Sequence, residues 1–267
     1  GEARTVLAIT PFRRLWLSLS LSSLGDWLSL LALVSLAAIL TEGEETVIQY
    51  FAVSGVVVLK VLPSVLLSPI AGVLADHVDR RLTMVVSDVV RGLLYISIPV
   101  VGRLDWLLIA NFLAECVALF WAPAKDATVP NLVPRHRLEQ ANQLSLLTTY
   151  GSAPVAAALF ALLASLSTVL GGFFPAMRTP EADIALYLNG VTFFIAAAVV
   201  WRLPIPATRA ADDPKRPSVF RAIWEGLRYA GTTRLVRGLL LGMLGAFGAG
   251  LIWASAAVAH TNLYFDG

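Results

Sequence analysis

Long, nearly unbroken apolar runs constrain this chain more than any other feature. They fall at about Leu15–Leu40, Ile48–Ala75, Leu82–Val101, Trp106–Val129, Leu138–Leu170, Ile184–Leu203 and Leu235–Ala259. A helix needs about 20 apolar residues to cross the hydrocarbon core of a bilayer. Barrel strands alternate apolar and polar over about ten residues, which these runs do not do. Within lipid only helices and closed barrels satisfy their own backbone, so the runs predict an all-α integral membrane protein of seven spans. Pro63 and Pro69 are expected to interrupt the second span, and Pro123 falls near the end of the fourth. Composition agrees: 57% of the residues are hydrophobic and 14% charged. An ordinary soluble domain is about 25% charged, so there is too little polar surface here to cover a soluble core. A soluble enzyme, a nucleic-acid binder and a disordered chain are all disfavoured. The first run is too long for a cleaved signal peptide, and no soluble sequence follows it.

Basic residues give the orientation. Fifteen of the twenty Lys and Arg fall on one side if the N-terminus is cytoplasmic: Arg4, Arg13, Arg14, Arg80, Arg81, Arg135, Arg137, and eight more between Arg202 and Arg237. Only Arg103 and Arg178 fall outside, and the outer loop Thr41–Thr46 is acidic. Cytoplasmic loops carry the Lys/Arg excess, so the expectation is a multi-pass protein of the plasma membrane with its N-terminus inside. The sequence divides into a six-span bundle over 1–203, a cytoplasmic loop over 204–234 and a seventh span with an outer tail over 235–267. The loop holds an amphipathic stretch, Val219–Tyr229, suited to lie on the inner leaflet. The single Cys116 and three scattered histidines offer no disulfide and no metal ligand set. No nucleophile–base pair suggests an enzyme, no cofactor is expected, and no Walker-type phosphate loop is present. Seventeen Arg against three Lys, with abundant Ala, point to a high-GC bacterial source.

The most specific segment follows the second span: Ser68-Pro69-Ile70-Ala71-Gly72-Val73-Leu74-Ala75-Asp76-His77-Val78-Asp79-Arg80-Arg81. It resembles the loop between helices 2 and 3 of major facilitator superfamily transporters, G-x-L-a-D-r-x-G-r-r, with Asp79 at the second glycine. Three further stretches are similar to the drug- and siderophore-exporting branch of that family. They are Leu24-Gly25-Asp26-Trp27, Pro123-Ala124-Lys125-Asp126-Ala127 with the Val129–Pro134 stretch after it, and Leu138-Glu139-Gln140-Ala141-Asn142. The resemblance covers nearly the whole chain. It implies the six-helix N-terminal bundle of the major facilitator fold plus a seventh span, with a C-terminal half missing from the sequence.

The resemblance also implies roles. A cytoplasmic latch would use Gly72, Asp76, Arg80, Arg81 and Asp126, with Arg80 bridging to Asp126. Helices 1 and 4 would line the central cavity as equivalent members of two inverted repeats. An ionisable residue in mid-membrane is a functional candidate by default; Asp26 and Glu115 lie near the middle of the first and fourth spans, which makes them proton-coupling candidates. The family's arginine on helix 4 is absent, with Glu115 in the middle of that span instead. Asp88 and Arg91, spaced i,i+3, are placed to pair with each other. Lys60 is placed either to snorkel or to line the cavity. Gly151 and Pro154 look like a degraded helix 5 antiporter motif and predict a bend there. Trp27 and Phe112 are candidates for an apolar substrate cavity. The expected function is proton-coupled efflux of small amphipathic compounds by alternating access, with protons, a small-molecule substrate and the lipid bilayer as partners. Two alternatives stay open: lipid or lysolipid flipping on the same fold, or a membrane-anchoring half-transporter module fused to a soluble domain.

Overall fold

The structure, a computed structural model, describes residues 6–75, 79–167 and 180–204, and beyond them 224, 228–229, 231–238, 241–242 and 245; side chains at 65, 66 and 68–75 lie outside that set. Six long helices account for most of the described chain: α1 Thr10–Leu40, α2 Thr46–Ala75, α3 Arg80–Val101, α4 Leu104–Leu132, α5 Leu138–Ser165 and α6 Pro180–Trp201. All six are long and apolar enough to cross a membrane. The seventh expected span and the amphipathic loop lie mostly outside the described residues. The chain divides into two compact units, Gly1–Pro214 and Lys215–Gly267. In the second, the described residues are short helical pieces, among them Arg234–Gly238.

The helix ends follow local chemistry. Asp79 caps α3, its side chain accepting from Leu82 N at 2.8 Å. Gly102 ends that helix in the left-handed region, φ 61°, which glycine adopts without strain. The expected interruption of the second span does not occur: α2 runs through Pro63 and Pro69. A membrane helix carries a proline because neighbouring helices and local adjustments re-satisfy the one bond it removes. Likewise α5 stays one helix through Pro154, and α4 through Pro123 and Pro130.

Packing is symmetrical in a way that the sequence hides. α1 packs against α6 and α5, α4 packs against α3 and α2, and α3 packs against α6. Exchanging 1 with 4, 2 with 5 and 3 with 6 maps this pattern onto itself. Helices three apart in an alternating series run in opposite directions, so the two three-helix sets are inverted copies in their packing. At the α3–α6 crossing Gly92 and Gly190 face each other. A Cβ on Gly92 would stand 3.1 Å from the Gly190 carbonyl oxygen, and one on Gly190 3.0 Å from that of Gly92. Small residues allow backbones this close, as is usual in membrane bundles. α1 is stapled to α5 by two indoles: Trp16 Nε1 donates to Thr148 Oγ1 and Trp27 Nε1 to the Thr149 carbonyl, each at 2.8 Å.

The apolar interior forms two clusters rather than one. One holds Leu28, Leu33, Leu36, Tyr95, Ile98, Leu107 and Phe193. The other holds Phe12, Leu15, Leu19, Met84, Trp121, Val129 and Val133. Along α1 the gap between them spans Ser22, Ser23, Gly25 and Asp26; along α3 it spans Ser87, Asp88, Arg91 and Gly92; along α4 it includes Glu115. A polar belt therefore crosses the middle of the bundle.

Candidate functional site: a polar belt at mid-span

Two ion pairs make up the belt. Arg91 Nη2 on α3 donates to Asp26 Oδ1 on α1 at 2.5 Å, and Lys60 Nζ on α2 donates to Glu115 Oε1 on α4 at 2.5 Å. Four helices thus contribute one charge each. The Arg91 side chain is 4% exposed and that of Asp26 31%, while Lys60 and Glu115 are 20% and 16% exposed. Arg91 is nearly sealed, and the other three groups are partly exposed. The pairs also feel each other: Arg91 interacts electrostatically with Glu115 as well as Asp26, and Lys60 with Asp26 as well as Glu115.

Arg91 is held by more than charge. Its guanidinium carbon lies 4.2 Å from the centroid of Phe193 on α6, a cation–π contact. Phe193 stacks in turn on Tyr95, with centroids 5.8 Å apart and planes 5° from parallel. The expected i,i+3 pairing of Asp88 with Arg91 gives way to the contact with Asp26. Asp88 is fully buried, and neither of its carboxylate oxygens accepts a hydrogen bond. The Trp121 indole lies close enough to interact with it, yet its N–H also makes no bond of ordinary geometry. A local rule lost here because the competing partner sits on another helix, 65 residues earlier. Lys60, left open between snorkelling and lining the cavity, pairs with Glu115. Nearby, Asn111 Nδ2 ties α4 to the Val56 carbonyl of α2 at 2.9 Å.

The helix ends where the latch was expected give a different picture. Gly72 lies in α2 with its surroundings outside the described residues, and Asp76 lies outside them altogether. Arg81 stands in the first turn of α3. The direct bridge expected between Arg80 and Asp126 is absent. Arg80 Nη1 donates instead to the carbonyl of Ala127 at 3.1 Å, while the Asp126 carboxylate is 68% exposed and pairs with Lys125 at 2.8 Å. Arg80 therefore reaches the expected end of α4 but meets backbone there, because the Asp126 side chain turns outward. Beside it, Lys125, Asp126, Val129, Pro130, Leu138, Asn142, Ser145, Leu146 and Thr149 line an open cavity of about 420 Å³ between the C-terminal end of α4 and the N-terminal half of α5.

The other candidates are scattered. Trp27 spends its one polar atom on α5, so it acts in packing as well as facing the interior. Phe112 is half-buried on α4. Gly151 is exposed and has open space where a Cβ would go, so among the described residues no helix approaches it closely. Among the described residues no group of three His, Cys, Asp or Glu could hold a metal. Two structural residues went unread in the sequence. The Asp79 cap was signalled by an aspartate directly before an apolar run. The Trp16–Thr148 bond left no local signal at all.

Comparison with known proteins gives the family. Residues 3–264 match the family described as "Transmembrane secretion effector". A relative from Bacillus subtilis, "Uncharacterized MFS-type transporter YfiS", is 29% identical over 86% of this chain and 50% of its own length. "Putative bacilysin exporter BacE" of the same organism is 24% identical over 84% of this chain and 52% of its own length. The chain spans about half the length of these curated relatives. With a match over nearly its whole length, the chain belongs to the transmembrane secretion effector family of the major facilitator superfamily, a family of transporters and not of enzymes.

Proposed function

We propose that this chain takes part in proton-coupled export of small amphipathic compounds by alternating access, with the mid-span belt as its coupling centre. The observation that carries the reading is the pair of linked ion pairs, Asp26–Arg91 and Lys60–Glu115, set between two apolar clusters. Charges inside a membrane bundle are expensive and mark ion or proton paths. Each carboxylate is held by a cation it would release on protonation, so a proton arriving at Asp26 or Glu115 changes which helices are held together. Lys60 on α2 grips Glu115 on α4 and so joins one three-helix set to the other; Asp26 and Arg91 lie within one set, but Arg91 also senses Glu115 across the divide.

The exporter reading draws on the relatives, one of which carries the name of a bacilysin exporter. At the cytoplasmic face, Arg80 against the end of α4 supports a latch that holds one state and opens in the other; the parts assigned to Gly72, Asp76, Arg81 and Asp126 belong to the same proposal. The basic-residue bias supports a cytoplasmic N-terminus in the cell membrane. The test uses inverted membrane vesicles containing the carrier, an imposed pH gradient and a panel of small amphipathic compounds. Gradient-driven uptake is expected in the wild type and should fall about tenfold or more in Asp26→Asn and Glu115→Gln. Uptake that ignores the gradient, or variants that transport normally, would remove the proton role. Uptake of a fluorescent lysolipid alone would favour flipping.

A further inference from the structure

The belt contains a group that neither ion pair uses. Asp88 is wholly buried, and neither of its oxygens has a hydrogen bond of ordinary geometry, although the Trp121 indole of α4 lies close by. Arg91, one turn further along the same helix face, is bonded to Asp26 through Nη2 but leaves its buried Nε without an acceptor. The two interact electrostatically. A buried donor without an acceptor thus stands beside a buried acceptor without a donor. Leaving such groups unmade is costly, and the same side chains satisfy each other after a rotation of the guanidinium.

We infer that Arg91 is a two-position group that moves from Asp26 to Asp88 when Asp26 is neutralised, and that Asp88 is the positioning residue that receives it. The step balances simply. A proton, or a cationic group of the transported compound, neutralises Asp26; Arg91 keeps all its protons and its charge; its guanidinium leaves the Asp26 carboxylate and bonds the Asp88 carboxylate. The other groups facing Arg91 leave this choice intact. Lys60 from α2 is held by Glu115 of α4, Tyr95 of α3 presents a hydroxyl without a partner, and α6 contributes the Phe193 ring, over which the guanidinium can pivot. Without a second acceptor, neutralising Asp26 would strand a cation in the bundle, and the protonation that drives a cycle would also destabilise the protein. The inference extends the coupling reading, but its test measures stability alone, so it stands or falls apart from any transport result.

The experiment is a double-substitution cycle on the full chain in detergent, followed by thermal unfolding. Asp26→Asn alone should lower Tm by about 2–4 °C, because Asp88 takes over the guanidinium; Asp88→Asn alone should do about the same or less. Together they should lower it by at least about twice the sum of the single effects, since Arg91 then has neither carboxylate. Two further variants separate handover from ordinary packing. Asp88→Glu in the Asp26→Asn background should keep the Tm of the single variant. Arg91→Met added to Asp26→Asn/Asp88→Asn should restore most of the loss, by removing the stranded cation. If the double variant does not fold, a folded triple variant carries the same message. Additive effects in the cycle, or a triple variant no more stable than the double, would overturn the proposal.

Discussion

The two mid-span ion pairs have the same donor–acceptor distance, 2.5 Å, and opposite surroundings. Lys60 and Glu115 are each about one-fifth exposed or less, and each has the other as its bonded partner. Arg91 is almost sealed, stacked on an aromatic ring, and has a second carboxylate beside it in Asp88. Asp26, its partner, is the most exposed of the four. What differs is the reserve behind each cation. One pair is a closed contact, and losing either member strands the other. The other pair is a cation with a choice, and its accessible member can be neutralised without leaving the charge alone. In a medium where unpaired charge is expensive, that difference sets how much each pair costs to break.

Breaking the closed pair should have the largest effect on stability. Glu115→Gln removes Lys60's bonded partner and should cost about 3 kcal/mol, the lower end of the range for breaking a buried pair; chemical denaturation in mixed micelles measures it. Asp26→Asn should cost only about 1 kcal/mol, since Arg91 has an alternative acceptor and loses one charged hydrogen bond in exchange for another. A loss in Asp26→Asn as large as that in Glu115→Gln would erase the distinction between the pairs. Removing the closed pair whole, as Lys60→Met with Glu115→Gln, should recover most of the single-variant loss, leaving under about 1 kcal/mol, because no charge remains to be stranded. At the far end of the scale stands Arg103–Asp105, a two-bond pair of 3.0 and 2.7 Å whose side chains are 71% and 58% exposed. Asp105 holds the Arg103 guanidinium more firmly charged through those bonds, yet water surrounds both groups. Arg103→Ala should leave Tm unchanged, which shows that burial and not charge pairing sets the order above.

Much of the fold was legible because lipid leaves so few options. The runs ending at Leu40, Ala75 and Val101 end where α1, α2 and α3 end, since a span must be apolar for its length and must stop at the interface. Pro63 and Pro69 misled because a proline weighs less in a packed membrane helix than in water. At the site, residue types were legible and partners were not. Asp26 and Glu115 stood out as carboxylates in apolar runs, but the cations that hold them come from helices 65 and 55 residues away. Which helices are neighbours depends on the Gly92–Gly190 crossing and on the indoles of α1, and no local pattern encodes either. For the same reason the i,i+3 spacing of Asp88 and Arg91 gave a plausible pair that the folded bundle replaces. The Arg80 contact shows the limit on a smaller scale. The sequence located the right end of α4, but whether a carboxylate or a carbonyl meets the guanidinium depends on how one side chain turns.

On the proposed reading, the belt couples proton movement to export. The most direct measurement compares gradient-driven export in membrane vesicles for the wild type, Asp26→Asn and Glu115→Gln, with the amount of folded carrier in the membrane matched. The account predicts that Asp26→Asn abolishes gradient-driven export while remaining nearly as stable as the wild type, and that Glu115→Gln loses both export and stability. Export at the wild-type rate in Asp26→Asn, still dependent on the pH gradient, would contradict it.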